Sequence, residues 1–216
     1  MREFAIIALV LGAQPALACD QPVCLADPET LGLSRIITFD DTRASPGPGH
    51  PVADVLQLDG AAFAERFAGQ SVIAVGDHDR IEGDALGPLV LMPGDRGRNL
   101  SIVFFNGNKL LNGYGVAGFP KRNGQGEGAI SLLFDEDQSA LSFQLRGGEA
   151  GEARVAFLAR DGQVIAVLDL PPAGEHHYGF LRAGSQADIA GLVVTNTDPE
   201  GIALDNLRFG RPPDLS

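Results

Sequence analysis

What most constrains the fold of this chain is the rhythm of its apolar residues. Short runs of β-type sequence recur along it, broken by Gly, Pro, Asn and Asp. Several runs alternate strictly: Leu141, Phe143 and Leu145 take turns with Ser142, Gln144 and Arg146, and Val155 and Phe157 with Arg154 and Ala156. Period two sends neighbouring side chains to opposite faces of a sheet. Strands are expected at 35–39, 52–58, 71–75, 88–92, 100–105, 129–134, 140–145, 153–159, 164–170, 177–181, 189–195 and 202–209. Turn signals fall between them, among them Gly147-Gly148, Asp161-Gly162, Pro171-Pro172 and Asp198-Pro199-Glu200-Gly201. Strands spaced in this way predict an all-β protein, an antiparallel β-sandwich of jelly-roll type with little helix. The one helical candidate is 61–68 (AAFAERFA), where Phe63 and Phe67 share a face at i, i+4.

The N-terminus reads as an export signal. Arg2 is followed by the short apolar run 5–12, too short to cross a bilayer, and Ala16-Leu17-Ala18 fits a small-x-small cleavage site. The expected organisation is a signal peptide at 1–18, a polar segment at 19–33, a sandwich domain at 34–210 and a tail at 211–216. The expected location is periplasmic or secreted. Cys19 and Cys24 are the only cysteines, and in an exported chain their pairing as a disulfide is favoured. A lipid anchor on Cys19 is the alternative, disfavoured because Ala16 stands where lipoprotein signals usually carry Leu. No later stretch is apolar and long enough to be read as a transmembrane segment.

Charge narrows the partners. The 216 residues carry 28 acidic against 16 basic side chains, a net charge of −12, and only two of the basic residues are lysines, Lys109 and Lys121. Nucleic acid and anionic membranes need clustered cations, which are absent here. An acidic surface suits calcium, a hard cation that takes oxygen ligands.

The motifs are short. Gly113-Tyr114-Gly115-Val116-Ala117-Gly118 matches G-x-G-x-x-G, but Phe119-Pro120 follows where a dinucleotide site needs a helix. The loop is read instead as shaping a binding cleft, with Asn112, Tyr114 and Phe119 as ligand contacts. Asp40-Asp41 ends an early strand and Asp205-Asn206 lies inside the last one; together they are the candidate calcium ligands, although an Arg or backbone N–H groups would serve a buried Asp205 equally. The acidic string 77–84 departs from EF-hand spacing and is read as a solvated loop, and Asp135-Glu136-Asp137 as a turn. His176 and His177 point to opposite faces of a strand and share no metal. No G-x-S-x-G occurs. Glu65 and Glu127 are the carboxylates singled out for acid–base chemistry, with solvated surface positions expected for both.

GEGAISLLFDED (126–137), ARVAFLARDGQVI (153–165) and GIALDNLRF (201–209), with ITFDD at 37–41, resemble the calcium-stapled, galactose-binding-like jelly-roll modules of exported bacterial proteins. The resemblance covers about residues 34–209. It implies neighbouring first and last strands, a calcium ion at a strand end and a glycan as ligand. The chain departs from the family in having no Trp, the usual sugar-stacking residue. The expected role is a non-catalytic binding or envelope accessory protein, calcium-stabilised and glycan-binding. The rivals are a carboxylate-dependent hydrolase or lyase acting on polysaccharide, and a structural exported protein with protein partners in the envelope.

Overall fold

The computed structural model describes residues 20–170 and 176–210. The first half of these residues holds β1 (Val23–Ala26), β2 (Arg35–Ile37), β3 (His50–Val52), β4 (Leu56–Leu58), β5 (Ala61–Ala64), β6 (Arg66–Phe67), β7 (Ser71–Val75), β8 (His78–Glu82), β9 (Leu91–Met92), β10 (Leu100–Phe105) and β11 (Asn108–Gly113). The second half holds β12 (Ile130–Gln138), β13 (Ala140–Gly147), β14 (Ala153–Leu158), β15 (Val164–Leu170), β16 (His176–Arg182), β17 (Ile189–Asn196) and β18 (Ile202–Phe209). The only helical elements among the described residues are three short 3₁₀ turns.

Two antiparallel sheets form the sandwich. One has eight strands in the order β1-β16-β13-β18-β11-β10-β3, with β2 also paired to β18; the other runs β15-β14-β17-β12-β5-β4. From β12 onward the chain crosses between the two sheets at each step except the β14–β15 hairpin, which stays in the six-stranded sheet, a jelly-roll-type path. The expected contact of early and late strands is present: Ile37 on β2 faces Leu207 on β18. Period-two patterning explains the layers. Leu141, Phe143, Phe180, Leu204 and Leu207 face inward from one sheet and Phe63, Leu132, Phe134, Phe157 and Leu192 from the other, all fully buried in one core.

Three expectations are corrected. The 61–68 stretch is not a helix but strands β5 and β6. Strand β5 lies between β4 and β12 and is buried on both faces, with Phe63 in the main core and Ala62 and Ala64 in a second cluster with Phe67, Leu89, Leu91 and Val193. A two-turn helix buries one face only, so sheet burial overrides the i, i+4 pattern. Second, Asp135-Glu136-Asp137 is no turn but part of β12, where the register to β17 shifts between Leu133 and Gln138. A bulge there lets exposed acids interrupt an otherwise buried strand. Third, the 77–84 string is a hairpin rather than a solvated loop: β7 and β8 pair around Gly76-Asp77, and Asp79 is buried. The polar segment before residue 34 also contributes structure, since β1 pairs with β16 at the end of the larger sheet.

The second cluster has a consequence for function. The segment from β6 to β9 packs Phe67, Ala85, Leu89 and Leu91 on the outward face of the six-stranded sheet. That face is therefore covered. The outward face of the eight-stranded sheet carries, among the described residues, the small cluster Val103, Leu110 and Ala203.

Candidate functional site

A cleft of about 810 Å³ lies on that open face. Its floor is set by strand register. Leu111 pairs with Leu204, and Leu204 with Leu145, all three in the core. Their neighbours Leu110, Asn112, Ala203 and Arg146 therefore point outward. Loops wall the cleft at Pro46-Gly47, at 122–126 and at 147–149, with the Glu200-Gly201 turn beside them. The β10–β11 hairpin closes on the two-residue turn Asn106-Gly107, both with positive φ (49° and 88°), the geometry that Asn-Gly favours. Its end presents Phe105, 56% exposed, on the cleft face with Val103 and Leu110, while alternation turns the ring of Phe104, opposite Lys109, to the other face. Amide side chains come from Asn112, Asn123 and Gln125, and charges from Arg122, Arg146, Glu149 and Glu200. The lining thus combines an aromatic ring, an apolar strip, and hydrogen-bonding groups of both kinds.

The polar strip continues across the sheet. Gln144 sits opposite Asp205 and His177 opposite Gln144. Asn206 Nδ2 donates to Gln144 Oε1 at 2.9 Å, and His177 Nε2 hydrogen-bonds with Ser142 Oγ at 3.1 Å. Burial pulls the His177 pKa down.

The three ligand contacts expected from sequence do not share one cleft. Asn112 lines the large one. Tyr114 and Phe119 line a second, of about 620 Å³, with Leu100, Asn99 and the 94–97 loop. Tyr114 is buried, its hydroxyl donating to the Pro48 carbonyl at 2.9 Å, and its ring meets Phe119 edge-on at 5.6 Å. Of the two rings, Phe119 is the half-buried one. The backbone at Tyr114 is set by close packing of two glycines: a Cβ on Gly113 would lie 2.3 Å from the Gly128 carbonyl oxygen, and one on Gly128 2.4 Å from Tyr114 N. Backbone atoms cannot yield cheaply, so Gly128→Ala is expected to cost at least about 1–3 kcal/mol, read as a fall in thermal midpoint. An unchanged midpoint would contradict this crossing.

The calcium candidates split into two groups. Asp40 and Asp41 are exposed on the turn after β2. Asp205 is buried, and its carboxylate accepts from Asn206 N at 2.8 Å and pairs with Arg146 at 3.6 Å. Burial raises its pKa, and nearby Asp40 adds to the rise. Lys109 Nζ donates to the carbonyl oxygens of Asp40 and Thr42. Two side-chain cations of the chain are thus already placed on this oxygen set, and the set does not fit calcium. Among the described residues no three His, Cys, Asp or Glu side chains converge in a metal-ligating group.

Glu65 and Glu127 are buried rather than solvated, each 3% exposed. Glu65 follows β5 and pairs with Arg66 at 2.7 Å; burial, reinforced by Asp79, pushes its pKa up to about 7. Asp79 pairs with Arg98 at 3.3 Å, and burial lifts it to about 6. Glu127 contacts His78, whose Nε2 also donates to the Asp198 carbonyl at 2.8 Å; burial again pushes Glu127 up to about 7. None of the three lines the large cleft. Asp79 and Glu127 sit in a polar and a Gly-rich string, and Glu65 in an Ala- and Phe-rich run that reads as an amphipathic helix, so sequence did not show this burial.

Cys19 lies outside the described residues, so neither its pairing with Cys24 nor its lipidation is described; Cys24 sits on β1. Among the described residues no helix is long and apolar enough to cross a membrane. No known family's sequence profile matches the chain, and no curated protein matches it. Among solved structures it is similar to the N-terminal endo-1,4-β-D-xylanase 10B of Clostridium thermocellum, CBM22-1–GH10 modules complexed with xylohexaose. The likeness has 14% identity and a TM-score of 0.31, over 52% of this chain and 24% of that one. The chain spans about a quarter of that protein's length.

Proposed function

We propose that this protein is an exported, non-catalytic β-sandwich module that binds a glycan in the cleft on the outward face of its eight-stranded sheet. The observation that carries the reading is the placing of Phe105 with Asn112, Asn123, Gln125 and Arg122 around one cleft. Sugars present C–H faces that settle on aromatic rings and hydroxyls that both donate and accept. Amides offer both roles, and arginine adds donors. The volume, about 810 Å³, suits a ligand of several sugar units. Phenylalanine takes the stacking role in a chain without Trp. The sheet supplies a rigid floor, and the loops supply the specific contacts. Export rests on the signal-like segment 1–18 and on the resemblance to exported modules.

The test is a polysaccharide array followed by titration of the best ligand. Phe105→Ala lowers affinity about tenfold, since one lost stacking platform is worth about 1–1.5 kcal/mol. The ring is exposed, so the thermal midpoint stays near that of the wild type. Unchanged affinity in this variant, or an array without any bound glycan, would defeat the reading.

A second reading, cleavage of a polysaccharide by a carboxylate pair, is favoured by the buried neighbours Glu65 and Asp79, with Glu65 lining a small cavity of about 220 Å³ beside Arg66 and Arg98. It predicts loss of polysaccharide viscosity that Glu65→Gln abolishes.

A further inference from the structure

We infer that the ammonium group of Lys109 is the structural cation of this sandwich, standing where the sequence resemblance led calcium to be expected. Lys109 is one of two lysines in the chain. It is the second residue of β11, pairs with Phe104 on β10, and is half-buried. Its Nζ donates to two main-chain carbonyls of the turn that follows β2, those of Asp40 and Thr42, the second at 2.8 Å.

That turn needs an anchor. Phe39 holds a left-handed backbone conformation, φ 61°, although it is not glycine. Its ring is nonetheless buried, 2% exposed, and meets Phe63 of the opposite sheet edge-on at 5.4 Å. The Thr42 N–H and hydroxyl both donate to the Phe39 carbonyl, at 3.0 and 2.5 Å. The reversal therefore leaves the Asp40 and Thr42 carbonyls converging on one point, and a cation there neutralises their dipoles. Calcium would do so with 6–8 oxygens. Here a tethered ammonium does it, and it joins the turn to the β10–β11 hairpin.

The charge around the niche is consistent with this. Asp40 is near enough to Asp205 to raise its pKa. Asp205 already has Arg146 and the Asn206 N–H as partners. Lysine and arginine thus supply the positive charge that this end of the sandwich requires, and a divalent ion would have to displace an ammonium that cannot diffuse away. The sandwich accordingly needs no calcium for its stability.

The experiment is thermal unfolding of the full chain at neutral pH, in EDTA and in millimolar calcium. The wild-type midpoint is expected to be the same in both. Lys109→Met removes two charge-assisted hydrogen bonds and lowers the midpoint by roughly 5 °C or more in either buffer. Lys109→Arg, which keeps the charge, recovers at least half of that loss. A calcium-dependent rise in the wild-type midpoint would overturn the inference, and so would a Lys109→Met protein that melts with the wild type. If Lys109→Met does not fold, the wild-type comparison and the Lys109→Arg midpoint still decide, since an arginine variant as unstable as an unfolded one would show that charge is not what the niche needs.

Discussion

Phe180→Ala lowers the unfolding free energy by about 3–5 kcal/mol. Phe180 lies on β16 of the eight-stranded sheet and is fully buried. Its ring centroid is 5.1 Å from that of Phe143 on the same sheet and 5.1 Å from that of Phe157 on the opposite one. The side chain thus spans the interface that makes the two sheets one domain. Truncation removes its transfer free energy and leaves a cavity that the sheets cannot close without moving their strands. Denaturant unfolding reads the effect as a lower midpoint at unchanged slope. The exposed Phe105→Ala serves as the contrast, with a change within about 0.5 kcal/mol. A Phe180→Ala loss below about 1 kcal/mol would mean that the sheets do not share this core.

Stability rises as the pH falls from about 7.5 towards 5, by on the order of a few kcal/mol. Glu65 and Glu127 have folded pKa values of about 7 and Asp79 of about 6, each raised chiefly by burial. Their ordinary values are 4.5, 4.5 and 3.8. Between the two sets of values the folded protein binds more protons than the unfolded chain, so raising the pH through this window favours unfolding. The contribution of these groups is complete below the unfolded values and lost above the folded ones. Asp205, raised by burial, acts in the same sense, while His177, lowered chiefly by burial, is a single group opposing it in this window. Asp198 acts oppositely: against the effect of burial, the N–H groups of Ala150, Glu200 and Gly151 hold it below its ordinary value, and its contribution falls away only at pH below that window. Midpoints measured across the range test the sign, and Glu65→Gln with Glu127→Gln flattens the profile. A midpoint that increases steadily from pH 5 to 7.5 would contradict the burial of these acids.

Much of the sandwich was legible because its strands alternate. The Leu141, Phe143, Leu145 series faces the core as read, and the strands at 71–75, 100–105, 164–170 and 202–209 stand where the patterning put them. Strand β5 was not legible as a strand. It is buried on both faces, so its AAFA sequence carries no alternation, and its i, i+4 phenylalanines mimic a helix. Strand β11 was missed because Asn108, Lys109 and Asn112 make it look like a loop, although Asn106-Gly107 after an apolar run is a hairpin signal. The same hairpin hides the aromatic part of the site. Two successive phenylalanines on a strand cannot both face the core, and this was the available clue to Phe105. Asn112 lines the large cleft, whereas Tyr114 and Phe119 line the second. Their separation depends on how the 113–128 backbone crosses itself, which no local pattern encodes. Asp205 was recognised as needing a partner, but Arg146 lies 59 residues away in sequence and meets it only through the β13–β18 register.

The most direct test of the central claim is to map backbone amide shifts by NMR during titration with the polysaccharide fragment that binds best. Glycan binding on the open sheet face predicts perturbations concentrated at Val103–Phe105, Asn112, 122–126 and 201–203, saturating with one affinity. Perturbations centred instead on 95–97 and Phe119, or none anywhere at saturating ligand, would contradict it.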